Sequence, residues 1–157
     1  MAVRNSCKVL MEKGGKYLLN HYLHEDGLEY YDLPGGGQRP YESLEEAAIR
    51  ECREETGYEV EIVRLGAIRE EIYDDPEVRK AYPDFSHKLH FIFLVRQVDI
   101  IRWEATKPDR HQIGCRWMTL EEMEEAAVRV DHLADLIRDM NASGEILYRE
   151  PIHKNAP

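Results

Sequence analysis

The sequence predicts an α/β (α+β) domain: a mixed β-sheet covered by helices on both sides. Three observations carry that reading. Strand-like and helix-like segments intermingle along the chain without the strict alternation of a parallel βαβ array. One strand candidate, "KLHFIFLVRQV", is apolar on both faces, Leu89, Phe91, Phe93 and Val95 on one and Ile92 and Leu94 on the other, as a central strand must be. A helix from Ser43 to Thr56 has one apolar side for a sheet to cover. With 157 residues, 43% of them apolar and 33% charged, the chain suits a single domain over 1–157 with one hydrophobic core.

In chain order, "SCKVLMEKGGKYLLNHYL" reads as a β-hairpin around Gly14-Gly15. "LEYYDLPGGGQRPYE" is a short strand running into a glycine-rich loop. Ser43 followed three residues later by Glu46 is a capping box, so the helix starts there, and Gly57 is its natural stop. "YEVEIVRLGAIREEIY" alternates as one or two strands, and "DDPEVRKAYPDFSH", polar with two prolines, reads as a loop. After the central strand, "IIRWEATKPDRHQ" is a second long loop and "IGCRWMT" another strand. "LEEMEEAAVRVDHLADLIRDMNA" closes as one bent helix or two short ones before Gly144.

Composition narrows the function. A net charge of −10 argues against a nucleic-acid polymer as ligand. Cys7, Cys52 and Cys115 are odd in number and widely spaced, which excludes a disulfide framework or zinc ribbon and suits a reducing cytoplasm. The N-terminal stretch has no apolar signal region, and the longest apolar run, "FIFLV", cannot span a bilayer. The expectation is a cytoplasmic protein with no membrane association.

The 43–56 helix poses a physical problem. Glu51, Glu54 and Glu55 fall within an arc of about 100°, and like charges at such spacing cost roughly 0.2–0.5 kcal/mol per pair. Three hard oxygen donors on one rigid face are what a magnesium or manganese ion takes while leaving positions for phosphate oxygens, so metal binding would offset the repulsion. Ala47 and Ala48 lie in or beside that arc, Ile49, Cys52 and Thr56 point elsewhere toward the sheet, and Arg50 can hold the Glu54 carboxylate.

The stretch "GGQRPYESLEEAAIRECREETGY" resembles the Nudix box, G-x5-E-x7-R-E-U-x-E-E-x-G-U, where U is a bulky aliphatic residue. Gly36, Glu42, Arg50, Glu51, Glu54, Glu55 and Gly57 supply every fixed identity, while the two U positions hold Cys52 and Tyr58. A chance match is on the order of one in a hundred million per window. The leading hairpin, "LPGGG" before the helix and the tryptophan strand followed by "LEEM" also look like Nudix hydrolases.

The resemblance implies the Nudix fold, an α/β/α sandwich with a mixed sheet. It implies a pyrophosphohydrolase acting on a nucleoside diphosphate-linked small molecule: a nucleotide sugar or ADP-ribose-like compound, a dinucleoside polyphosphate or a (d)NTP. Glu51, Glu54 and Glu55 would be catalytic ligands of Mg²⁺ (or Mn²⁺), with one of them serving as, or sitting beside, the base. Arg50 would orient them. Gly36, Gly37 and Glu42 would shape the substrate-binding loop, with Glu42 supporting it or an outer metal. For a ligand outside the box, Gln112, Glu104 and Asp109 stay open, as does a homodimer. His87 and His90 face opposite sides of a strand and do not suit a metal pair. Tyr73, sixteen residues after Gly57, stands near where dinucleoside polyphosphate hydrolases of this family carry a tyrosine, and Tyr22, Tyr31, Tyr41 and Phe85 are candidates to stack on a base, with core packing the competing role. The alternative function is a non-catalytic Nudix nucleotide sensor, which would bind without turnover.

Overall fold

The computed structural model describes residues 3–99 and 101–155. Their elements are β1 (Arg4–Lys13), β2 (Lys16–Leu23), β3 (Glu29–Asp32), β4 (Gly35–Gly37), α1 (Leu44–Thr56), β5 (Val60–Tyr73), α2 (Pro76–Ala81), β6 (His87–Gln97), β7 (Gln112–Met118), α3 (Leu120–Glu125), α4 (Leu133–Ser143), β8 (Leu147–Tyr148) and β9 (Ile152–Lys154).

Gly14 and Gly15 both take positive φ, as the tight hairpin turn between β1 and β2 requires. The two strands pair only at that tip, through Glu12–Tyr17 and Lys13–Lys16, and then part. The body of β1 runs parallel to β6 from Arg4 to Met11, and its other edge takes β4 through Ser6–Gly37, Cys7–Gly36 and Lys8–Gly35. β2 pairs instead with β3 and β7. The glycine-rich segment is therefore a short strand wedged into a fork, where a loop was expected. Gly35 has φ +142, and a Cβ there would lie 2.0 Å from the Cys7 carbonyl oxygen, so only glycine fits so close to β1.

β6 lies between β1 and antiparallel β5, and its two apolar faces are both covered. Cys7, Val9, Met11, Phe93 and Val95 pack with Ala47, Ala48 and Cys52 of α1. Leu10, Ile92 and Ala67 pack with Leu133, Leu136, Ile137 and Met140 of α4. This mixed sheet with helices on both faces is the expected sandwich. Ala47 and Ala48, one turn before the carboxylates, are buried against the sheet, where their small side chains bring α1 close.

Two further differences and one choice between alternatives have identifiable causes. The 74–86 segment contains α2, nucleated by the Asp75 cap and Pro76 in the first turn. Of the two alternatives for the closing segment the two short helices are found, since Ala126 turns to extended backbone after α3. β8 and β9, which hydropathy did not reveal, add parallel to the edge of β5 by backbone pairing.

Candidate active site

α1 is fixed at both ends. Ser43 accepts from the Glu46 N–H, and Glu46 accepts in return from the Ser43 N–H, a cap worth about 1 kcal/mol. At the other end Gly57 closes the helix with φ 76, and the 101–112 strap supplies donors to the last carbonyls. Lys107 N–H donates to the Glu54 carbonyl, Gln112 Nε2 to that of Glu55, Arg102 Nε to that of Thr56 and Trp103 N–H to that of Gly57. The helix that carries the glutamates is held as a rigid platform.

Arg50 organises the polar side of that platform. Its Nε and Nη2 donate to the two oxygens of Glu42 at 2.6 and 3.0 Å, a bidentate pair. Nη2 also donates to the Gly37 carbonyl at 3.1 Å, and Nη1 to Glu51 at 2.8 Å and Glu54 at 3.2 Å. The Glu42 hydrogen bond is the main reason the Arg50 guanidinium is held more firmly protonated than usual, and the same bond lowers the Glu42 pKa. Glu42 further accepts from the Arg39 N–H. Its carboxylate is thus spent on bracing the loop against the helix.

Glu55 differs from its two neighbours. It is 4% exposed, turned into the fork between β1 and β2, where Oε2 accepts from Gly35 N–H at 2.9 Å and Asn20 Nδ2 at 2.7 Å. Burial pushes its carboxyl up to about 7, against the pull of Lys8, the Gly35 N–H and Asn20, with the Glu51 charge adding to the rise. Lys8, itself buried, donates to Asp32 at 3.1 Å and to the carbonyl of Leu33. Burial works against its charge, yet Asp32 and Glu55 raise its pKa overall.

The three glutamates therefore line one wall as expected, but at two depths, with Glu51 and Glu54 at the surface and Glu55 sunk behind Gly35. Among the described residues, no three His, Cys, Asp or Glu side chains already converge as metal ligands do. The donor set still suits a hard divalent ion: Glu51 and Glu54 are partly open to solvent, and each presents hard carboxylate oxygens beside the Arg50 guanidinium that orders them.

Of the candidates outside the box, Gln112 is taken up in capping the helix, with its amide oxygen accepting from Asp109 N–H. Glu104 lies exposed in the strap. Asp109 is linked to the site indirectly, accepting from Tyr22 Oη at 3.5 Å, and Tyr22 in turn meets Asn20. His87 pairs with Glu70 and His90 with Glu71, so they do not converge. Tyr22 and Tyr31 are core residues, whereas Tyr41 and Phe85 are exposed.

Sequence reasoning missed Lys8, Asn20 and Asp32. For Lys8 and Asn20 a signal was present, since each is a polar residue set among the apolar residues of its strand, a costly placement unless it serves a partner.

A glycine strand thus lies beside a carboxylate helix whose acidic side chains are ordered by one arginine, with a third carboxyl buried behind them. The chain belongs to the NUDIX family: the NUDIX domain model matches residues 3–140. It is 30% identical over 118 residues, 73% of this chain and 80% of the relative, to nucleoside triphosphatase NudI of Enterobacter sp. (strain 638). It is 46% identical over 56 residues to the protein described as "Putative 8-oxo-dGTP diphosphatase YtkD" of Bacillus subtilis (strain 168), a match spanning 36% of this chain and only 33% of that relative. Among solved structures, a NUDIX hydrolase from Nitrosomonas europaea superposes with TM-score 0.71 at 22% identity, covering 92% of this chain and 93% of the other. Family hydrolases generally use divalent metal ions.

Proposed function

We propose that the protein is a Mg²⁺- or Mn²⁺-dependent pyrophosphohydrolase that cleaves the diphosphate link of a nucleoside diphosphate derivative in the cytoplasm. The observation that supports this most is the position of Glu51, Glu54 and Glu55 on a capped, strapped helix directly against the Gly35–Gly37 strand. Glu51, Glu54 and Glu55 would hold the metal. A divalent ion there supplies charge neutralisation at phosphate oxygens and makes a bound water more acidic.

The chain's own groups do the rest. Arg50 sets the rotamers of Glu51 and Glu54 and ties them to the loop through Glu42 and Gly37. Gly36 and Gly37, without side chains, leave the strand backbone open to a diphosphate. Glu55, its Oε2 held by the Gly35 N–H and Asn20, is the candidate among the three to serve as, or sit beside, the base that takes a proton from water. The three cysteines are all free thiols, in keeping with a reducing compartment.

Incubation with Mg²⁺ and a panel of ADP-ribose, nucleotide sugars, dinucleoside polyphosphates and (d)NTPs tests the reading. Phosphate release through a coupled phosphatase is the signal, and a Glu54→Gln, Glu55→Gln double variant is the control. Turnover that collapses in the variant is expected. Binding without turnover under Mg²⁺ or Mn²⁺ would instead make the protein a nucleotide sensor.

A further inference from the structure

Of the five aromatic residues that could stack on a base, Tyr41 alone belongs to the box segment. Tyr22, Tyr31 and Tyr73 are buried in the fold, and Phe85 carries the Arg4 guanidinium 4.6 Å over its ring. Tyr41 stands one residue before Glu42, in the loop that joins the glycine strand to α1. It is 108% exposed, so its ring packs on none of the described residues.

Its backbone makes that exposure harder to explain. Glu42 N–H donates to the Arg39 carbonyl at 3.2 Å, which closes a turn over Arg39-Pro40-Tyr41-Glu42. Proline holds the second position at φ of about −65°. Tyr41, the third, has φ 66. A positive φ directly after proline is the type II pattern, whose third position favours glycine or asparagine because a Cβ is strained there. A bulky aromatic at this place therefore lowers the stability of the fold, and without a packing contact it contributes nothing in return.

The turn is held so that it cannot relax. Gln38 N–H donates to the Asn5 carbonyl at 3.1 Å, and its Oε1 accepts from Asn5 Nδ2 at 2.8 Å. Gln38 Nε2 donates to the Glu42 carbonyl at 2.6 Å, and Arg39 N–H donates to Glu42 Oε2 at 3.0 Å. Arg50 grips the Glu42 carboxylate from the helix side. Strain that persists in a segment pinned this way marks a side chain kept for something other than folding.

The surroundings of the turn indicate what that is. Both of its ends meet the carboxylate wall: Arg39 Nη2 lies 3.6 Å from Glu54 Oε1, and Glu42 holds the Arg50 guanidinium that donates to Glu51 and Glu54. Pro40 and Tyr41, the tip between those ends, stand in solvent at the edge of the wall. In a nucleotide the sugar separates the base from the phosphates. With the diphosphate at the glutamates, the base arrives outside the wall rather than on it. An open phenol ring offers that base a π face, and stacking of this kind tolerates any base.

We propose that Tyr41 is a substrate-binding residue that stacks on the planar base of the nucleoside, purine or pyrimidine, while the diphosphate sits at Glu51, Glu54 and Glu55. The assignment rests on the pyrophosphohydrolase reading for the place of the diphosphate, but stacking can be read from binding alone.

The experiment is calorimetric titration of the full chain in Mg²⁺ buffer with α,β-methylene-ADP, α,β-methylene-UDP and methylenediphosphonate, whose bridging carbon cannot be hydrolysed. Wild type is compared with Tyr41→Gly, Tyr41→Asn and Tyr41→Phe, beside a thermal melt of each. Glycine and asparagine accept the left-handed backbone, so neither variant should melt below wild type. Both should lose on the order of tenfold in affinity for the two nucleotide analogues and none for methylenediphosphonate. Tyr41→Phe should keep the wild-type affinities. On any substrate that is turned over, the loss in Tyr41→Gly should appear in KM more than in kcat. Unchanged nucleotide affinity in the glycine and asparagine variants overturns the proposal. So does an equal loss for methylenediphosphonate, which would make the turn a phosphate-positioning element. A lower Tm in both variants would show that the ring packs on its own chain and overturns it too, as does a wild type that binds neither nucleotide analogue, which would leave the ring to a protein partner. Nucleotide binding without turnover of any panel substrate strikes the hydrolase reading alone and leaves the stacking assignment standing.

Discussion

Replacing Gly36 by alanine separates the chemistry of the site from the stability of the fold. An alanine Cβ at this position would lie 2.7 Å from the Glu51 carboxyl carbon and 2.8 Å from each of its oxygens. Ordinary contact begins at 3.4 Å, so the carboxylate must retreat by about 0.7 Å. It is the end of a flexible side chain and can do so, at the expense of its 2.8 Å bond from Arg50. The backbone at Gly36 is outside the left-handed region, so alanine adopts it without strain and even gains about 0.4–1 kcal/mol from a less disordered unfolded chain. The expected outcome is a Tm within a few degrees of wild type and a loss of kcat on the order of ten- to a hundredfold, the scale of an ångström-sized displacement of a reacting group. Part of the loss should return at higher Mg²⁺ if Glu51 is a metal ligand.

The assay is turnover of the best panel substrate beside a thermal melt, with Gly35→Ala as the contrast. At Gly35 the obstacle is the Cys7 carbonyl oxygen at 2.0 Å, which is backbone and cannot step aside. Gly35→Ala should fail to fold or melt far lower. Wild-type kcat for Gly36→Ala, or a Tm fall matching that of Gly35→Ala, would refute the claim that this glycine serves the Glu51 carboxylate.

Arg50→Lys keeps the charge but loses the fork that holds Glu42, Glu51, Glu54 and Gly37 at once, so kcat should fall about a hundredfold while far-UV circular dichroism stays unchanged. Glu71→Gln leaves Lys88 and Lys154 without their buried carboxylate and should cost about 3 kcal/mol in urea melts at pH 7. Burial alone would raise the Glu71 pKa, but the neighbouring His90 and the two lysines drive it below the usual range. Its stabilisation is therefore complete above the unfolded value near 4.3 and fades as pH falls, so the variant's deficit should shrink at pH 3. Glu55→Gln should abolish turnover yet stabilise the protein in chelator. The folded carboxyl at about 7 lies above its unfolded value, so ionising it costs stability as pH rises. A gain on the order of 2–3 kcal/mol is expected at pH 8 and none near pH 4.

The box helix was legible in the sequence because each of its signals is local. Ser43 and Glu46, Gly57, and the spacing of Arg50 with three glutamates are all set within one short segment, as is the two-faced apolar pattern of β6. What escaped depends on distance along the chain. Asn20 meets Glu55 across 35 residues, and Gln112 reaches the Glu55 carbonyl across 57. Residues 35–37 become a strand because a β1 edge is waiting for them, and three glycines carry no side-chain pattern to announce it. β8 and β9 are likewise defined by the edge they join.

The like charges on α1 can now be weighed against their surroundings. Arg50 offsets the pair at the surface, Glu51 and Glu54, by donating to both. The third, Glu55, is relieved differently: it is carried off the surface into the β1–β2 fork, where Lys8, Asn20 and the Gly35 N–H face it. Neither device fully neutralises the wall, since one guanidinium also serves Glu42 and a buried carboxyl at about 7 is still penalised for its charge. The residual strain is the reservoir that a divalent ion would relieve on binding. A simple thermodynamic consequence follows, because a ligand that binds only the folded state adds RT ln(1 + [L]/Kd) to stability. Mg²⁺ or Mn²⁺ should raise the Tm of the wild type, and Glu54→Gln, Glu55→Gln should lose that rise even though Glu55→Gln raises the metal-free Tm at pH 8. If the double variant kept the metal-induced shift, the ion would be held elsewhere and the box glutamates would owe their arrangement to something other than metal.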